Sequence, residues 1–294
     1  MSQWAIETQN LTKRFGRQTV VDGLSLRVPT GSVVGFLGPN GAGKTTAIRM
    51  LMGHLHPTSG SVATLDANPW RHRQSTLQRI GYVSQAMELP GWMTAAQAVA
   101  MNERLFPNWD RKLADDLLDE FALRGTGAWR KLSGGQQRKL MVLLALAQSP
   151  DLLILDEPTT GLDVEARNVF LQRILDVACG EGRTVLLSSH LLSDLERMVN
   201  RVVLIRSGRL VMHEELDALK AGMRKLQILA DVPESVLREH FDVLTVDQPA
   251  LNETVATVSN FSDERASAFV STLRDPELLR VHHFNLEQLY LELK

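Results

Sequence analysis

The sequence predicts an α/β protein with a mainly parallel sheet core, an antiparallel β flap and a helical insertion, followed by a small α+β C-terminal domain. Short apolar runs without alternation, rich in branched side chains, read as strands buried on both faces. Helical patterns separate most of these runs, the layout of a layered α/β domain. Near Lys220-Ala221-Gly222 the pattern changes, so two domains are expected, 1–218 and 223–294.

In chain order, Ile6 to Val28 reads as short strands with turns, the antiparallel flap. Val33 to Leu37, Leu152 to Leu155, Thr184 to Ser188 and Val202 to Ile205 are the core strands. Lys44 to Met52, Gln136 to Gln148, Glu165 to Cys179 and Leu191 to Val199 are the helices between and after them. The strand signal vanishes after Met87, and Leu113 to Phe121 is helical, so a helical insertion is placed at about residues 87–148. Beyond Gly222 come a strand (Leu226 to Leu229), a helix (Pro233 to His240) and two strands (Val243 to Val246, Thr254 to Val258). A helix (Asp263 to Leu273), a strand (Leu279 to His283) and a last helix (Leu286 to Leu293) follow, a βαββαβ order that suggests a ferredoxin-like unit.

Composition narrows the function classes. The 294 residues carry 32 basic and 34 acidic side chains, mixed along the chain with no basic arm, so nucleic acid is not an expected partner. A single cysteine, Cys179, excludes an intrachain disulfide and a cysteine-clustered zinc site, and it is read as packing. No apolar stretch approaches the roughly 20 residues that span a bilayer, and the first residues lack a secretory pattern. A membrane role is therefore expected only through a partner. His282 and His283 are adjacent on a predicted strand and point to opposite faces, so they are not expected to share a metal ion.

Gly38-Pro39-Asn40-Gly41-Ala42-Gly43-Lys44-Thr45 matches G-x-x-x-x-G-K-[ST] and lies between a predicted strand and a predicted helix, the context a phosphate-binding loop requires. Glycines let backbone N–H groups approach phosphate oxygens closely, and the helix adds its positive N-terminal end. Lys44 is then expected at the β- and γ-phosphates, Thr45 on magnesium, and Thr46 near the α-phosphate. Kinases, GTPases and motor ATPases all share such a loop.

Leu132-Ser133-Gly134-Gly135-Gln136 narrows the choice. Ser133 is a good N-cap, and the glycines leave a helix N-terminus bare, a second anion site. This string is the signature motif of the ATP-binding cassette (ABC) ATPase family, which the first 215 or so residues resemble. Val83-Ser84-Gln85 resembles the Q-loop. Leu152 to Asp156 with Glu157 resembles the Walker B strand and its catalytic glutamate, and Gly161-Leu162-Asp163 resembles the D-loop. His190 resembles the switch histidine, and Phe15 sits where the family places an adenine-stacking aromatic.

The resemblance implies ATP and Mg²⁺ as cofactors and a site shared between two cassettes, in a homodimer or a heterodimer. Thr45, Gln85 and Asp156 would organise magnesium. Glu157 would polarise the attacking water, His190 would stabilise the γ-phosphate, and Asp163 would link the two sites. Ser133, Gly134, Gly135 and Gln136 would close over nucleotide held by the other protomer. A single cassette without a membrane segment resembles bacterial transporters whose permease is a separate subunit, which places the chain in the cytoplasm, peripheral on the inner face of the membrane. Phe106 to Asp110 and the short C-terminal domain resemble exporter motors, and Met87 to Met93 lies where the family receives the permease. The C-terminal domain is expected to stabilise a dimer or to regulate. The alternative is a soluble ABC ATPase that couples hydrolysis to macromolecular assembly or nucleic-acid work.

Overall fold

The computed structural model describes residues 3–84, 88–159, 162, 164–189, 192–273 and 275–293. By proximity of Cα atoms the chain divides into two compact units, Met1–His213 and Glu214–Lys294.

The first unit opens with β1 (Trp4–Phe15) and β2 (Gln18–Pro29), antiparallel from Trp4↔Pro29 to Phe15↔Gln18. Then come β3 (Val33–Leu37), α1 (Lys44–Leu51), β4 (Ser59–Thr64), α2 (Arg73–Leu77) and β5 (Ile80–Val83). Strand β4 pairs antiparallel with β1, completing a three-stranded flap in the order β2-β1-β4. The insertion holds α3 (Ala95–Leu105), α4 (Arg111–Glu120), a short 3₁₀ turn at Trp129–Lys131 and α5 (Gly134–Ala147). Next are β6 (Leu152–Asp156), α6 (Val164–Glu181), β7 (Thr184–Ser188), α7 (Leu192–Glu196), β8 (Arg201–Arg206) and β9 (Arg209–Glu215).

The central sheet has the order β5-β6-β7-β3-β8-β9, with parallel pairing of β5 to β6, β6 to β7, β7 to β3 and β3 to β8. Every residue of β3, β6 and β7 is buried, which is why these strands read as unbroken apolar runs. One core joins flap to sheet: Ile6, Leu11 and Val62 cluster with Ile48 and Leu51 of α1 and with Phe36, Ile154 and Val203 of the sheet. Residues Leu140 to Ala147 of α5 are all buried, so the second half of this helix is covered on every side rather than amphipathic.

The second unit contains α8 (Leu216–Gly222), β10 (Arg224–Ile228), α9 (Glu234–His240), β11 (Asp242–Ala250), β12 (Glu253–Ser259), α10 (Asp263–Val270), β13 (Leu279–His283) and α11 (Leu286–Leu293). Its sheet runs β11-β12-β10-β13 with every pairing antiparallel, the strand order of two interleaved βαβ halves in a ferredoxin-like unit. Leu226, Ile228, Ala256 and Val258 pack against Leu237, Phe241 and Phe269 to give this unit its own core. Phe241 stacks on Phe261 and meets Phe269 edge-on, with ring centroids 6.1 and 5.7 Å apart.

Several elements differ from the reading of the sequence, which did not separate out α2, β5 or β9. The flap is built from two long strands with β4 as a third, because register shifts along β1 break its alternation. Helix α3 was not anticipated: its apolar face is made largely of alanine, a weak hydrophobic signal, and the Thr94–Gln97 capping box marks its start. Helix α8 occupies the stretch where the sequence suggested only a boundary.

Candidate functional site

Three core strands bring their carboxyl ends together, where parallel sheets place ligands. Strand β3 runs into the glycine loop, β6 ends at Asp156 and β7 ends at Ser188. The loop is held tightly. Gly38 has φ +152°, and a Cβ there would lie 2.4 Å from the Ile205 carbonyl oxygen. Gly43, the residue that opens α1, has φ +99°, and a Cβ would lie 2.6 Å from the Val20 oxygen. No side chain caps α1, so its N-terminal N–H groups have no side-chain acceptor.

The Lys44 ammonium turns back over the loop, donating to the Gly38 carbonyl at 2.6 Å and the Pro39 carbonyl at 3.2 Å. Burial pushes its pKa below the ordinary lysine value, while the Glu157 and Asp156 carboxylates pull it back up. The Thr45 hydroxyl donates to Asp156 Oδ2 at 2.8 Å. Ser188 donates to Asp156 Oδ1 at 2.6 Å and accepts from the Glu157 N–H at 3.1 Å. Asp156 is only 2% exposed, so both its oxygens are anchored by neighbouring hydroxyls. Glu157 sits at φ +51°, a left-handed conformation uncommon outside glycine, and its N–H also reaches the Ser188 carbonyl. That backbone turn carries the chain abruptly out of the sheet at the residue following the anchored Asp156.

Gly43, Lys44, Thr45, Asp156 and Glu157 line one cleft of about 370 Å³ with Val20, Asn40, Gly41, Ala42 and Thr46. Its donors suit an anionic ligand. The Thr45–Asp156 pair suits Mg²⁺, which takes few protein oxygens and completes its shell with water and phosphate. Among the described residues, no group of three or more histidine, cysteine, aspartate or glutamate side chains could hold a metal by itself.

The signature string lies at a second place. Ser133 caps α5 in a reciprocal box, accepting from the Gln136 N–H at 3.2 Å while its own N–H donates to Gln136 Oε1 at 3.0 Å. Ser133 and Gly134 are exposed, and a Cβ on Gly134 would meet nothing within 4 Å. None of Ser133, Gly134, Gly135 or Gln136 lines the cleft of this protomer. Phe15, 50% exposed at the end of β1, is also outside the lining, and the Lys13 ammonium lies 5.2 Å from its ring centroid. Gln85, Asp163 and His190 lie outside the described residues.

Sequence reading did not single out two residues that organise the site. Ser188 was included only as the end of a strand, although the carboxyl-end rule points to it. Arg138, one turn into α5, donates to the Ser84 carbonyl at 2.7 Å and so ties the signature helix to the chain leaving β5. Burial lowers its pKa. Nothing local in the sequence signals that pairing across |i−j| = 54. In the proposed docking stretch, Trp92 is 65% exposed but Met93 is buried and Met87 lies outside the described residues, so of its methionine and tryptophan side chains the structure places only the tryptophan on the surface.

A family model described as ABC transporter matches residues 21–160. The bacitracin transport ATP-binding protein BcrA of Bacillus licheniformis is 36% identical over 249 residues, which cover 81% of this chain and 80% of the relative. The chain belongs to the ABC transporter family as an ATP-binding subunit. Another relative of this cassette, the Nod factor export ATP-binding protein I of Burkholderia pseudomallei, is 40% identical over 216 residues, 71% of this chain and 70% of that protein. Among solved structures, the ATP-binding subunit of an ABC transporter superposes with a TM-score of 0.67 at 26% identity, over 72% of this chain and 90% of the other. A dimeric cassette in a post-hydrolysis state with ADP and Pi gives a TM-score of 0.63 at 24% identity, over 72% and 98%, a likeness of fold. The cassette is an ATPase. None of its described helices is long and apolar enough to cross a membrane.

Proposed function

We propose that this ATPase drives export through a separate membrane-spanning permease, working as a head-to-tail dimer that encloses nucleotide between the glycine loop of one protomer and the signature tip of the other. One observation carries the reading. The cleft collects loop amides, Lys44, Thr45, Asp156 and Glu157 on one side, while the bare helix end at Gly134 stands outside it with space in front. Two anion-binding helix ends in one protomer, only one of them in the cleft, suit a site completed by a second copy.

Within that site Lys44 would release its loop carbonyls for phosphate oxygens, and the amides of Gly41 to Thr45 would hold the rest of the chain of phosphates. Magnesium, when bound, would neutralise developing charge on the phosphates. Thr45 and Asp156 would hold it, with Gln85 as a further ligand. Glu157, aimed by its left-handed backbone, would orient and polarise the attacking water, and His190 would support the γ-phosphate. Phe15 would stack on the base, and Asp163 would connect the two sites. Export is favoured because relatives named for bacitracin transport and Nod factor export match most of the chain. The exposed Trp92 offers an aromatic anchor for the permease, and the location follows: peripheral, on the cytoplasmic side.

The test uses the bare helix end. Gly134→Asp adds a side chain whose Cβ would meet none of the described residues within 4 Å and which suits a first helical turn, so the fold should hold or gain slightly. In the Glu157→Gln background, Mg-ATP should convert the parent to a dimer on gel filtration and leave the Gly134→Asp variant monomeric. A Gly134→Asp protein that dimerises and hydrolyses ATP normally would end the shared-site reading.

A further inference from the structure

The C-terminal unit contains a groove that the ATPase chemistry does not use. Its volume is about 450 Å³, and it lies between α10 and the sheet at the edge strand β13. Register explains its character. Leu226 and Ile228 of β10 and Val281 and Leu279 of β13 face the core of this unit, paired Leu226↔Val281 and Ile228↔Leu279. One step further along the same face, Arg224↔His283 replaces an apolar pair with two cation-forming side chains, and both line the groove.

The opposite wall is apolar: Phe261, Ala266 and Val270, with Val281 at the floor. The Arg224 guanidinium lies over the Phe261 ring, 5.2 Å from its centroid. Its Nη1 donates to the Met223 carbonyl at 2.8 Å and to the Lys220 carbonyl, while Nε is buried without a partner. Asp263, an exposed residue, is the one carboxylate in the lining. Ser267 donates its hydroxyl to the Asp263 carbonyl at 2.8 Å and so has no proton left to offer.

We propose that this groove binds a small amphipathic monocarboxylate, with its apolar body against Phe261, Val270 and Val281 and its carboxylate between Arg224 and His283. A planar carboxylate suits the guanidinium over Phe261, whose Nη1 and Nε are engaged or buried but whose Nη2 donates to none of the described residues. Asp263 opposes a doubly charged headgroup such as phosphate, and the apolar walls reward a body of several carbons. A groove of this size is typical of small-molecule sites. The proposal does not depend on the direction of transport or on the site shared between protomers.

Calorimetric titration of the full-length chain with 4-phenylbutyrate tests it, with the neutral 4-phenylbutyramide and the cationic 4-phenylbutylamine as comparisons. The acid should bind saturably, one per chain, with Kd below about 1 mM, and the amide and amine about tenfold or more weaker. His283→Ala removes an exposed side chain, and Ser267→Trp fills the groove from an exposed position, so neither should disturb the core. Each should weaken the acid about tenfold while leaving the thermal midpoint of the protein unchanged. Arg224→Met should abolish binding, with its thermal midpoint reported alongside, since Arg224 also braces α8 through Lys220. No saturable heat from the acid up to about 10 mM, equal binding of the amine, or full affinity in both His283→Ala and Ser267→Trp overturns the proposal.

Discussion

Asp156 and Glu157 are neighbours in sequence but differ sharply in circumstance. Asp156 is buried with both oxygens hydrogen-bonded, whereas Glu157 follows on a left-handed turn, partly buried in the lining of the cleft. The buried acid is suited to a structural and metal-holding task, and its neighbour to reaching a water molecule. Glu157→Gln preserves volume and one acceptor, so ATP binding should persist while turnover falls by about 10²–10⁴, the usual worth of a general base. Steady-state hydrolysis beside equilibrium nucleotide binding measures both, and near-normal turnover would remove Glu157 from the role. Gly43 belongs at the same scale. Alanine there is forced to φ +99° with its Cβ against the Val20 oxygen, so Gly43→Ala should lose about 1–3 kcal/mol of stability and most of its nucleotide affinity. Urea titration and nucleotide binding report the two effects, and unchanged values in both would show that the loop adapts.

Among the elements, α5 connects the two parts of the chemistry. Its first turn presents the signature string, its second holds Ser84 through Arg138, and its remainder is buried against the insertion and the sheet. A partly buried guanidinium–carbonyl bond thus joins the early turns of α5 to the end of the chain leaving β5 at Ser84. The loop before α3 is the other element with an outward task. Trp92 is exposed while its neighbour Met93 is buried, so the loop is pinned from inside and offers one large aromatic outside. Trp92→Ala should leave basal ATPase activity within about twofold, because nothing in the cleft touches it, yet weaken capture of the permease by about 2 kcal/mol or more if it is the anchor. Pull-down of the permease from detergent extracts reads this directly, and unchanged retention would assign the docking elsewhere.

On the scale of the whole molecule, the cleft of one protomer holds only half of the proposed site. Specific ATPase activity should therefore rise with protein concentration below the dimer dissociation constant and level off above it. Activity per milligram that stays constant on dilution well below the concentration at which gel filtration shows monomer would mean that one protomer suffices. The C-terminal unit has its own core and its own sheet, and nothing in the cleft requires it. Its proposed roles, dimer support or regulation, acquire a chemical handle in the Arg224–His283 groove.

The fold class, the core strands β3, β6, β7 and β8 and the glycine loop were legible in the sequence, because glycine loops, a capped signature helix and fully buried strands are local patterns with few alternative readings. The sequence singled out Lys44, Thr45, Asp156 and Glu157, which line one cleft, because each stands at a strand or helix end whose direction the α/β order dictates. It took the folded chain to show that Ser188 anchors both Asp156 and the Glu157 backbone, that Arg138 reaches Ser84, and that Met93 turns inward while Trp92 does not. Those pairings join residues distant along the chain, or depend on which side of a loop is covered. Short-range periodicity carries no information about either.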